Sequence, residues 1–124
     1  MAKKISSASE LINPNVVKVI MNKNHDAIYF SRVALPFYPK KDVSEWMNHH
    51  TYYKHLGIYG YRAEVLAKIT QLKRSALEIA ESLEQLRWIE NGFTIRIERT
   101  EHEAHAIDTP EDLSRALRFL SDKK

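Results

Sequence analysis

The sequence predicts an α/β domain, or α+β for this stretch taken in isolation, and three observations carry that expectation. β-Branched residues crowd positions 16–21, and a second strand-like run follows a polar turn at 27–31. Apolar residues then recur at helical spacing from residue 62 to residue 91. With 124 residues, 44% hydrophobic and 28% charged, the chain is long and apolar enough for one modest core. No repeat, low-complexity tract or linker divides it.

Residues 6–11 form a short helical turn that Asn13-Pro14 ends. Val16-Val17-Lys18-Val19-Ile20-Met21 is a strand, residues 22–26 a turn, and Ala27-Ile28-Tyr29-Phe30-Ser31 a second strand, which together make a hairpin. Pro36, Pro39, Lys40 and Lys41 mark a loop, and a short helix follows at 43–48. Residues 52–61 are aromatic and alternate, as a buried strand does. Residues 62–72 carry Ala63, Leu66, Ala67 and Ile69 on helical spacing. Ser75 opens the next helix with Glu78 three positions on, the spacing of a capping box, and Asn91-Gly92 closes it. Phe93-Thr94-Ile95-Arg96-Ile97 alternates as a strand. Thr109 caps the last helix, with Pro110 at its first position and Glu111 and Asp112 in its first turn. Leu113, Ala116, Leu117 and Leu120 make its apolar face.

The helix from Ser75 has an unusual polar side. Ile79, Leu83 and Leu86 form its apolar stripe, and Glu81, Glu84, Gln85 and Trp88 lie roughly opposite. An indole beside two carboxylates and an amide implies that this second face also meets something. Another part of the protein, a partner or a polar ligand would each serve.

Composition narrows the chemistry. The chain has no cysteine, so disulfides and thiolate metal sites are excluded. No apolar run is long enough to span a bilayer and no signal-peptide pattern opens the chain, so a soluble cytoplasmic protein with no membrane partner is expected. The formal net charge of +3 comes with interspersed acids, which describes a solvated surface and not a nucleic-acid interface. Three glycines, Gly57, Gly60 and Gly92, cannot assemble a contiguous glycine-rich phosphate loop.

A few residues invite chemistry, each with a bland alternative. In a strand, Tyr53, His55, Gly57, Tyr59 and Tyr61 would share one face, where His55 could hydrogen-bond a sugar or carboxylate; the alternative is a packed aromatic strand. Arg32 ends the second strand before a loop, where a guanidinium can grip a carboxylate with two hydrogen bonds or simply be solvated. Asp108 precedes the last helix and either complements its dipole or helps hold a hard cation such as Mg²⁺. His102-Glu103-Ala104-His105 lacks the i,i+4 histidine pair of a zinc helix, and His49-His50 diverge on most backbones, so surface histidines are expected.

Five segments in order carry a family resemblance. They are Asn13-Pro14-Asn15-Val16-Val17-Lys18-Val19, Tyr29-Phe30-Ser31-Arg32, the block from Tyr53 to Arg62, the block from Glu81 to Arg87, and Ile107-Asp108-Thr109-Pro110-Glu111-Asp112-Leu113. Together they resemble the C-terminal half of the 3-deoxy-manno-octulosonate cytidylyltransferases, the CMP-Kdo synthetases. The resemblance implies a nucleotide-diphospho-sugar-transferase-like mixed sheet with flanking helices. It also implies a reaction in which the anomeric hydroxyl of Kdo attacks the α-phosphate of CTP, releasing pyrophosphate with Mg²⁺ assistance, for lipopolysaccharide synthesis. By the same resemblance Arg32, His55 and Tyr59 would hold the sugar acid, Glu84 and Gln85 its hydroxyls, and Asp108 one magnesium ion. A homodimer is implied too.

The sequence departs from the family in one respect. The family's P-A-R-x-x-S-x-R-x-P-G-K loop for the CTP phosphates and its Q-G-D-E-P segment do not occur. Met1-Ala2-Lys3-Lys4-Ile5 resembles the middle of a full-length enzyme, so a fragment or truncated reading frame is expected, inactive by itself. No catalytic residue is assigned within it. The rival expectations are a non-enzymatic dimeric binding module and an inert remnant.

Overall fold

The computed structural model describes residues 1–102 together with residues 113, 114, 117 and 118. The elements run β1 (Ala2–Lys4), α1 (Ala8–Ile12), β2 (Lys18–Met21), β3 (Ala27–Ser31), α2 (Val43–His49), β4 (Tyr53–His55), α3 (Ala63–Ile69), α4 (Ala76–Glu81) and α5 (Gln85–Glu90). Four strands form one sheet in the order β1-β4-β2-β3. Each strand pair is antiparallel, and a parallel bridge between Ala2 and Arg99 makes the sheet mixed. The expected hairpin is present: β2 meets β3 with Val19 opposite Phe30.

Cross-strand register sorts the sheet into polar and apolar rows. Lys3, Lys54, Lys18 and Ser31 lie opposite one another across all four strands. The apolar positions Ala2, Val19 and Phe30 pack with Leu83, Leu86 and Ile97 as the main core. A second cluster of Ile5, Leu11, Trp46 and Tyr52 sits under α1 and α2. Each row alternates with the next because successive strand side chains point to opposite faces.

Four sequence expectations need correction. Residues 1–5 carried no strand expectation, yet β1 pairs with β4 there. The strand expected over 52–61 stops at His55. Beyond it Leu56 donates its N–H to Met1 O and Ile58 donates to Leu56 O, an i to i+2 bond that turns the chain away from the sheet. Residues 93–97 do alternate in burial, but they form only isolated bridges, because Ala27 bonds Ile95 O, Ile97 bonds His25 O and Ala2 bonds Glu98 O as the segment crosses between partners.

The single helix expected over 75–91 is two. Ser82 adopts φ 53 and ψ 47, a left-handed turn closed by Leu83 N–H donating to Glu78 O. This break rotates α5 relative to α4, so the expected faces do not persist. Ile79 is 59% exposed, while Gln85 and Trp88 are only 6% and 8% exposed. The expected capping box is present: Ser75 N–H donates to Glu78 Oε2 at 3.3 Å, and the Ser75 side chain faces the Glu78 backbone N–H. The last helix lies mostly outside the described residues, of which 113, 114, 117 and 118 are helical.

Candidate acceptor site at the α4–α5 junction

Polar contacts fix the α4–α5 junction against the end of β3. Ser31 Oγ donates to Glu81 Oε1 at 2.6 Å, and Arg32 N–H donates to Glu81 Oε2 at 3.0 Å. The Arg32 guanidinium returns the contact, with Nε donating to Glu81 O at 2.9 Å, Nη2 to Ser82 O at 3.4 Å and Nη1 to Pro14 O at 3.1 Å. These bonds use three of its five N–H donors, and one donor on each terminal nitrogen is left. Beneath, the buried Lys18 ammonium donates to Asn13 O and Val16 O at 2.9 and 2.6 Å. Burial lowers its pKa, the Arg32 charge lowers it further, and the Glu81 carboxylate opposes both.

A second charged pair sets the angle between the helices. Arg87 grips Glu78 with two parallel hydrogen bonds of 2.7 and 2.6 Å and also donates to Leu72 O. The Arg87 hydrogen bonds hold the Glu78 carboxyl down to about 2, against the opposing push of burial. Arg87 also lies 3.3 Å from Glu84, whose side chain is 64% exposed at the turn. Gln85 follows as the first residue of α5 and is buried.

Beside this junction stands an aromatic wall. His55 packs 5.4 Å from Tyr59, and Tyr59 stacks on Tyr61 at 5.9 Å. Trp88 meets both tyrosines edge-on at 5.2 and 5.8 Å. The unusual helix face with a tryptophan in it therefore meets another part of the protein, the first of the three alternatives. The four rings border a cavity of about 600 Å³ that Arg62 and Arg96 also line, within the size range of small-molecule pockets.

Two buried polar atoms in this wall have no partner: His55 Nε2 and Tyr59 Oη. Burial, with a further push from the positive charge at residue 1, lowers the His55 pKa to about 4, so the ring is neutral at pH 7. Burial raises the Tyr59 phenol, with Tyr61 and Glu84 adding to the shift. A buried hydroxyl without a partner costs free energy. Tyr59→Phe is accordingly expected to raise the unfolding free energy by about 1 kcal/mol in a urea titration. A loss of stability would show instead that the hydroxyl is bonded within the fold.

Of the residues expected to bind substrate, His55 and Tyr59 line the cavity, whereas Arg32, Glu84 and Gln85 belong to the α4–α5 junction and are not among the residues that line it. His55 and Tyr59 touch each other, Glu84 acts electrostatically on Tyr59, Gln85 adjoins Glu84, and Arg32 bonds to Ser82 two positions before Glu84. Asp108 lies outside the described residues. Sequence reasoning missed Ser31 and Lys18 as parts of the junction, and it gave Glu81 no partner. The only signal was their place inside the quoted segments. Among the described residues no group of three His, Asp or Glu side chains is placed to hold a metal ion. His49 stacks on Tyr38 and His50 meets Tyr52 edge-on, ordinary packing roles.

Comparisons with known proteins place the chain among its relatives. The family described as cytidylyltransferase matches residues 1–101. A 3-deoxy-manno-octulosonate cytidylyltransferase of Parabacteroides distasonis is 56% identical over 115 residues, 93% of this chain and 46% of the relative. The enzyme of the same description from Cytophaga hutchinsonii is 53% identical over 122 residues, 98% of this chain and 49% of the relative. A solved structure of CMP:2-keto-3-deoxy-manno-octonic acid synthetase complexed with CTP superposes with a TM-score of 0.87 at 38% identity, covering 99% of this chain and 48% of that one. The chain spans about half the length of the relatives it matches. On the match over residues 1–101, this chain belongs to the cytidylyltransferase family.

Proposed function

We propose that this chain supplies the acceptor-sugar side of a cytidylyltransferase that joins Kdo to CMP from CTP with release of pyrophosphate. The observation that carries the reading is the pair of unpartnered buried atoms, His55 Nε2 and Tyr59 Oη, on the wall of an aromatic-lined cavity. Protein interiors seldom leave such atoms unpaired, so a ligand rich in hydroxyls is a fitting partner. Glu84 adds an exposed carboxylate acceptor and Gln85 an amide for further hydroxyls. The two remaining Arg32 donors suit the sugar-acid carboxylate.

Mg²⁺, with Asp108 as one ligand, a homodimer and a cytoplasmic location belong to the same proposal. Among the described residues no helix is long and apolar enough to cross a membrane. Titration calorimetry of the 124-residue protein with Kdo tests the reading. Saturable binding is expected, weakened about tenfold by Tyr59→Phe, the loss of one hydrogen bond to a ligand hydroxyl. No CMP-Kdo should form from CTP, Kdo and Mg²⁺, because the family's phosphate-loop motif is not in this sequence. Absence of any Kdo binding would overturn the acceptor reading, and robust product formation would overturn the division of labour.

A further inference from the structure

Glu81 stands out among the groups that the proposed function does not use. Its two carboxylate oxygens and its carbonyl oxygen are all engaged by the last two positions of the β3 end, Ser31 and Arg32. Tyr29 Oη approaches the same carboxylate at 3.5 Å. Ser82, the next residue, is the left-handed turn that separates α4 from α5, and its carbonyl accepts from Arg32 Nη2. One side chain therefore ties together the strand end that bears Arg32 and the turn that presents Glu84 and Gln85.

Charge gives Glu81 a second role. Lys18 and Arg32 repel each other at the β3 end, and the Glu81 carboxylate is the opposing charge that acts on Lys18. Without it, two cations would share a partly buried space with only backbone carbonyls as partners. The Arg32 backbone N–H and the Ser31 hydroxyl would also lose their acceptor, so the strand end that carries the guanidinium would lose its anchor on the α4–α5 turn and its remaining N–H pair its direction.

We propose that Glu81 is a positioning residue of the acceptor site, fixing the direction in which Arg32 offers its two remaining N–H donors to a carboxylate. This rests on the acceptor-site reading above. Its role is to orient Arg32, and Glu81 itself touches no ligand.

The test compares two probes, Kdo and its carboxyl methyl ester, by calorimetry on the 124-residue protein and on Glu81→Gln. Gln keeps the size of the side chain but removes the charge and brings an N–H donor toward the Arg32 N–H. The Kd for the free acid is expected to rise about tenfold, and the Kd for the ester to stay within about twofold. A purely structural role would weaken both probes alike, and that outcome, or no change in either, overturns the assignment. Ser31→Ala guards against misfolding of the first variant: it removes only the 2.6 Å bond and should show the same selectivity at smaller size. Circular dichroism establishes that each variant is folded. If the unaltered protein binds neither probe, the acceptor reading falls and the Glu81 assignment with it. If the unaltered protein binds both and Glu81→Gln matches it, only the Glu81 assignment falls.

Discussion

Replacing Phe30 with alanine should destabilise the fold by about 3–5 kcal/mol, the range for deleting a fully buried aromatic ring. Phe30 has 0% exposure and packs with Val19, Leu83 and Leu86 in the main core. It sits on β3, the end strand of the sheet, opposite Val19 of β2 and packed with Leu83 and Leu86, so the space it leaves cannot close without disturbing the β2–β3 register. A domain of this size has a net stability of about 5–15 kcal/mol, so the loss removes a large share of it. Urea unfolding would show it as a lower midpoint with an unchanged slope. A loss under about 1 kcal/mol would remove Phe30 from the core as described. The ring also meets His55 edge-on at 5.1 Å, so the same substitution should admit water to the imidazole.

That imidazole gives the second large effect. In the unfolded chain His55 takes its ordinary pKa of 6.5, whereas burial in the fold lowers it to about 4. Between those values the unfolded chain binds more protons, so stability is lost as pH falls from 6.5 toward 4. Above that window the contribution is fully present, and below it no further loss comes from this group. The shift corresponds to roughly 3 kcal/mol at most. Denaturant unfolding at pH 7, 5.5 and 4 would follow the loss, and His55→Gln should flatten that part of the profile. An NMR titration placing His55 between 6 and 7 would contradict it. In Phe30→Ala the histidine should titrate closer to its ordinary value, which links the two experiments.

Local signals made some of this structure legible and left the rest hidden. The β2–β3 hairpin was readable because Val16-Val17-Lys18-Val19-Ile20 is β-branched and the turn residues 22–26 are polar. β1 was not, because Ala2-Lys3-Lys4 has no strand-forming side chain, and only its pairing with β4 makes it one. The break at Ser82 carries no glycine or proline, so helical spacing ran through it unmarked. That break is why Ile79 is exposed and Gln85 buried, against the face assigned from periodicity. The aromatic alternation from Tyr53 to Tyr61 pointed to the right residues by the wrong route. Tyr59 reaches His55 through a turn, not along a strand, and Tyr61 stacks on Tyr59.

The candidate site residues came from the family segments, since no spacing rule joins Arg32 to Glu84. What the segments left out was the support beneath them. Ser31 and Lys18 read as ordinary strand residues, and Glu81 as part of a helix face whose partner was left open, until the chain closes on itself. Their contacts come from tertiary placement, which local pattern does not encode.

The ties at Glu81 also bear on how the chain acquires its site in time. The contacts from Tyr29, Ser31 and Arg32 to Glu81 span 52, 50 and 49 residues, and the Arg96–Asp26 pair spans 70. Closing loops of that length costs chain entropy before any contact repays it, and such folds form slowly. A partly folded chain can hold the β2–β3 hairpin, whose partners are close in sequence, but not the α4–α5 junction. The α4–α5 junction therefore takes its shape only where a strand end 50 residues away in sequence is in place.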